Sequence, residues 1–176
     1  MIRGMTGAAP EKFSRESAFW RFSLRFYALP EVAPACLELQ DKAGADVNLM
    51  LFLLFLAEQK IAVTKGEIAR LDGRIASWRA QVVMPLRDLR RRLKDGIGEI
   101  PKDSSEGLRN MVKRVELEAE RLEQGQLESQ ATGLGTIAAS RETAAQANLA
   151  AYSSHLGGLP EAPLRIVLDA FTSSPP

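Results

Sequence analysis

From Leu49 to Ala57 the chain carries nine apolar residues in a row. A bilayer span needs about 20, so this run belongs inside protein rather than in lipid. A helix from Val47 to about Lys60 is apolar on nearly every side, and such a helix is buried all round. The run therefore demands a fold in which other segments wrap one central helix.

The remaining pattern supplies those segments. Met1 to Phe13, with Gly4, Gly7 and Pro10, reads as a loose tail. Ser14 suits the cap of a helix over about 15–28, which carries Phe19, Trp20, Phe22, Leu24, Phe26 and Tyr27 and stops at Pro30. Glu31 opens a short helix with Pro34 in its first turn and Gly44 as its C′ residue. Asp46 caps the central helix, and Thr64 with Glu67 forms a capping box for the next one, which is expected to break near Gly73. Ile75, Trp78, Val82, Leu86, Leu89 and Leu93 fall within an arc of about 100°, with a kink or a helix junction expected at Pro85.

A Gly/Pro loop over Asp95 to Lys102 leads to a second capping box, Asp103 and Glu106. The helix after it runs to about Gln130, with Leu108, Met111, Val112, Val115, Ala119 and Leu122 on one face. The short loop makes these two helices antiparallel neighbours. Ser140 caps a helix over about 141–155, and a last helix over about 161–171 carries Leu164, Val167, Leu168 and Phe171. No segment alternates as a strand does. The expected fold is all-α, a single-domain bundle of about six or seven helices. Its parts are the tail (1–13), a core helical region (14–94), and a hairpin arm with C-terminal helices packed on the core (95–172).

Composition narrows the function classes. At 176 residues, 45% hydrophobic and 26% charged, the chain is ordinary globular material. A net charge of +1 gives no overall field for nucleic acid or membrane. Cys36 is the lone cysteine, so no disulfide forms within the chain; with no apolar signal core in the first dozen residues, the expected location is cytoplasmic. His155 is the lone histidine, and one histidine with one cysteine does not make a zinc site of the usual composition. Gly133-Leu134-Gly135-Thr136 lacks the lysine of a phosphate-binding loop. No metal, cofactor or catalytic residue is assigned.

Two features carry chemistry. Gln40, Asp41, Asp46 and Asn48 surround the turn at Gly44. They either cap and brace that turn or form a small polar pocket, with Asp41 and Asp46 as acid/base groups or oxygen ligands for a hard cation. The second feature is a stripe at i, i+3, i+4 and i+7: Arg87, Arg90, Arg91 and Lys94. Residues 65–94 hold nine basic residues against three acidic, and residues 95–130 hold five against nine. The stripe either contacts RNA, DNA or lipid phosphates, or meets Glu116, Glu120 and Glu123 of the next helix.

The order Phe19-Trp20-x-Phe22-Ser23-Leu24, Tyr27, Pro30, Ala35-Cys36-Leu37-x-Leu39-Gln40-Asp41, Gly44, Asp46-Val47-Asn48-Leu49, followed by Trp78 and Pro85-Leu86-Arg87, resembles an uncharacterised family of small all-helical proteobacterial proteins, domain of unknown function 2390. The resemblance spans about residues 16–94; it implies an all-helical fold and no particular activity. The functional expectation is a helical interaction or adaptor protein without catalysis, with another protein as partner. The alternatives are nucleic-acid contact through the Arg87–Lys94 stripe and an enzyme or ligand-binder built on Gln40, Asp41, Asp46 and Asn48.

Overall fold

The computed structural model describes residues 17–175. These form eight α-helices: α1 (Ala18–Tyr27), α2 (Val32–Ala43), α3 (Val47–Glu58), α4 (Lys65–Trp78), α5 (Met84–Arg92), α6 (Lys102–Glu128), α7 (Arg141–His155) and α8 (Glu161–Ser173). A π-helical turn, Arg79–Val83, joins α4 to α5 without leaving helical geometry, so the eight segments make seven rods. The fold is all-α.

The central helix is α3. Leu49 to Leu54, Leu56 and Ala57 are all buried. Its N-terminus is capped by Asp46, whose carboxylate accepts from the Leu49 N–H at 2.9 Å. Phe19 of α1 meets Phe52 edge-on at 5.2 Å, and α7 covers another side. Asn148 of α7, with no exposed surface, locks this contact. Its amide donates to the carbonyls of Leu53 and Ile61 and accepts from the Val63 N–H, so all three bonds of a buried polar group are made.

Other caps follow the sequence. Thr64 and Glu67 make the reciprocal capping box, Ser140 caps α7, and Gly44 takes the left-handed conformation after α2. The first helix instead starts at Ala18 with Ser17 as its cap; Ser14 and the 1–13 tail lie outside the described residues. Glu128, at the far end of α6, accepts from the Phe19 N–H at 3.1 Å and so adds a second cap to α1.

Several expectations are corrected. Gly73 lies within α4 and breaks nothing. Asp103 and Glu106 form no capping box, because the cap of α6 falls two residues earlier, at Pro101; Glu106 pairs with Arg109 instead. Two short strands exist, β1 (Ile61–Ala62) and β2 (Thr136–Ile137), paired antiparallel. Gly135 lies tight against them: a Cβ there would sit 2.4 Å from the Ala62 carbonyl, and its φ of +64° is left-handed. That contact is the physical role of the glycine-rich segment.

The arm differs most from expectation. Pro85 has no N–H to give, and the chain widens into a π turn just before it. The extra residue in that turn shifts the helical face, so Val83 rather than Val82 is buried and Leu89 is exposed, although Leu93 stays buried. Trp78, before the turn, is also partly exposed, its indole N–H donating to the Ala119 carbonyl. On α6 the expected apolar face is displaced as well. Val112 and Ala119 are buried, but Leu108, Met111 and Val115 are about half exposed. The side turned inward carries Glu116, Glu123 and Gln124 instead.

Candidate functional site

The corner between α2 and α3 is tight because Gly44 reverses the chain there and Asp46 restarts the helix. Its polar residues face the rod of α4, the π turn and α5. The π turn presents Arg79, which binds Asp46 at 2.8 Å and Asp72 at 2.7 Å. Asp72 also contacts His155 Nε2 at 3.0 Å, and the His155 ring stacks on Tyr152. The Tyr152 hydroxyl accepts from the Asp46 N–H and donates to the Asp46 carbonyl. Asp46 is therefore anchored through both its backbone and its carboxylate. The hydrogen bond from His155 and the charge and bonds of Arg79 outweigh the burial of Asp72 and hold its carboxyl below the usual range.

A cavity of about 290 Å³ opens at this corner. All four residues of the predicted polar cluster line it: Gln40, Asp41, Asp46 and Asn48. Arg87 and Arg91 of the predicted stripe line it too, beside Arg79, Asp88 and Glu123. Two sequence features some forty residues apart thus share one site. Arg90 and Lys94 of the stripe stand outside this cavity.

Glu123 is the unexpected member. It is 2% exposed, and its Oε1 accepts from Asn48 Nδ2 at 3.0 Å. Asn48 in turn accepts from Gln124 at 2.9 Å. Glu123 Oε2 has no partner while the carboxyl is ionised. Burial, followed by the charge of Asp46, pushes its pKa up to about 8, and the protonated form can donate to Asp46. The cavity wall therefore holds an acid whose burial favours its protonated form, beside the Asp46 side chain that Arg79 binds.

The arginines differ in how firmly they are held. Arg87 bonds Glu120 at 2.8 Å and Glu116 at 3.4 Å, and Arg90 grips Glu116 through two nitrogens. Glu116 is 5% exposed, so these pairs are sheltered. Glu123 does not join them. Arg91 pairs only with Asp41, at 2.9 Å, and both side chains are about half exposed. A pair of that kind contributes about 0–1 kcal/mol.

Other candidates resolve structurally. Cys36 is fully buried, and desolvation lifts its thiol to about 12, so it stays protonated. Among the described residues no group of three or more His, Cys, Asp or Glu could hold a metal ion, and no helix is long and apolar enough to cross a membrane.

Sequence reasoning set Glu123 against the arginine stripe rather than in this cavity, and it missed Arg79 and Tyr152. For Glu123 a signal existed: it lies i+4 from Ala119 and i+7 from Glu116, on the flank of α6 that also carries Val112. For Arg79 and Tyr152 the roles depend on contacts between distant segments, and nothing local marks them.

Fold and site together define a class: an all-α bundle with a polar cavity where its core meets a hairpin arm. The chain belongs to the family described as Protein of unknown function (DUF2390), matched over residues 18–127. The match runs past residue 94 through most of α6, and every residue lining the cavity lies within it. No curated protein and no solved structure matches the chain.

Proposed function

We propose that the protein binds a small ligand bearing an anionic group in the cavity at the α2–α3 corner, with Arg91 as its anchor. The observation that carries this reading is the contrast among the cavity's cations. Arg79 and Arg87 are held in part-buried pairs, whereas Arg91 is held by one exposed aspartate. A ligand carboxylate or phosphate displaces Asp41 at little cost and gains the fork of a guanidinium. Asp41, once released, and the exposed Asp88 are then free to receive a donor of the ligand. The reading concerns binding; no residue is given a catalytic role. The lone buried cysteine supports a cytoplasmic setting.

The test is a thermal-unfolding screen against small carboxylates and phosphates. Stabilisation by a member of the panel is expected in the wild type and is lost in Arg91→Ala. If every compound leaves the melting temperature unchanged, the reading fails.

A second reading has its own observation. Leu108, Met111 and Val115 lie along one exposed stripe of α6, as on a surface that docks another protein. This supports the interaction or adaptor role expected from the sequence. The nucleic-acid alternative is weaker, since Arg87, Arg90 and Arg91 are all engaged by acidic side chains and only Lys94 of the stripe has no ion pair among the described residues.

A further inference from the structure

A second cavity, of about 490 Å³, adjoins the first between α1, α2, α3 and the α5–α6 hairpin. The two share Gln40, Val47, Asn48, Arg87 and Arg91, so Arg91 borders both. The character of the second is different. Its walls include Trp20, Leu24, Leu37, Leu51 and Leu117 from four helices. Leu24, Leu37 and Leu117 are each about half exposed, yet they converge on one opening. Two of its lining residues carry buried polar atoms without partners, Ser23 Oγ and Gln124 Oε1. Ser23 is 3% exposed and Gln124 4%, so bulk water does not serve them well.

A chamber of mainly apolar surface with a displaceable arginine at its edge has the outline of an amphipathic anion. The apolar walls lie within the volume range, about 300–1,000 Å³, that holds small molecules. The guanidinium of Arg91 selects a planar anion, and Lys113 at the wall adds a second positive charge. A polar ligand confined to the first cavity leaves Leu24, Leu37 and Leu117 uncovered. A ligand with an alkyl or aryl body covers them.

We infer that the ligand is an amphipathic carboxylate, its head on Arg91 and its apolar body in the chamber lined by Trp20, Leu37 and Leu117. This rests on the Arg91-anchored binding proposed above. It adds the chemical class of the ligand and the place of its apolar part.

Trp20 reports on the chamber directly. The chain has two tryptophans, and Trp78 lies in a separate cleft with Ile75 and Leu122. In a Trp78→Phe background, Trp20 is the sole indole. Octanoate, acetate and octylammonium are titrated into that protein. Octanoate is expected to change Trp20 emission saturably, while acetate and octylammonium leave it unchanged. Leu37→Glu places a like charge at the rim and is expected to weaken octanoate at least tenfold. Leu37 is 45% exposed, so the unliganded variant keeps its melting temperature.

Equal octanoate affinity in Leu37→Glu overturns the inference, as does octanoate binding that leaves Trp20 silent. Stabilisation by short anions through Arg91, with no response to octanoate, also overturns it and leaves the Arg91 anchor standing. Silence toward every anion removes both.

Discussion

The core around α3 and the arm made by α5 and the first half of α6 are both built of amphipathic helices, but they are held by different forces. In the core, apolar area dominates: α3 is covered on nearly all sides, and Asn148, the polar group against its middle, completes its hydrogen bonds. In the arm, no residue of α5 itself is fully buried, and Arg87 and Arg90 on Glu116 and Glu120 join the helices. The difference shows that an apolar stripe names a helix but not the side it buries. On α6 the glutamates face inward, and Leu108, Met111 and Val115 are left outside.

Mutations should separate the two regimes. The largest effect is expected at Leu53, which has no exposed surface. Leu53→Ala should cost about 2–5 kcal/mol in urea unfolding; a loss under 1 kcal/mol would contradict the central place of α3. Next comes the junction of the two regions, at Glu123. Its folded pKa is raised from 4.5 to about 8. A raised pKa adds stability at low pH that is lost as pH climbs through that window. Urea midpoints of the wild type should therefore fall between pH 5 and 9 more steeply than those of Glu123→Gln. Parallel curves would show that Glu123 ionises like an exposed glutamate.

In the arm, Glu116→Gln removes the charge shared by Arg87 and Arg90 and should cost about 2 kcal/mol. Hydrogen exchange should localise the loss, with α5 amides exchanging faster and α3 amides unchanged. Equal acceleration in both helices would mean the arm and the core unfold as one unit. The smallest effect is expected at Met111, half exposed on the displaced stripe. Met111→Gln should change stability by no more than about 0.5 kcal/mol.

The same division explains what was legible beforehand. The Leu49–Ala57 run needs no partner information to announce a buried helix, and Asp46, Thr64 with Glu67, and Ser140 act on backbone within their own first turns. In the arm, the π turn before Pro85 inserts a residue into the helical count, so Val83 takes the buried place expected of Val82, while Leu93 keeps its buried place. The site was half legible. Gln40, Asp41, Asp46 and Asn48 stood out because polar residues between apolar helices need partners. That Arg87 and Arg91 reach the same cavity depends on how the π turn aims α5. Glu123, expected beside Glu116 and Glu120 against the stripe, instead meets Asn48 because α6 turns that flank inward.

The clamp at Asn148 also has a consequence in time. Leu53 and Asn148 are 95 residues apart in the chain. At a synthesis rate of about 5–20 residues per second, α3 leaves the ribosome roughly 5–20 s before the helix that covers it. For that interval the greasiest segment of the nascent chain has α1 and α2 for company but lacks α7. The newborn protein is thus a candidate client for chaperones until its last two helices arrive.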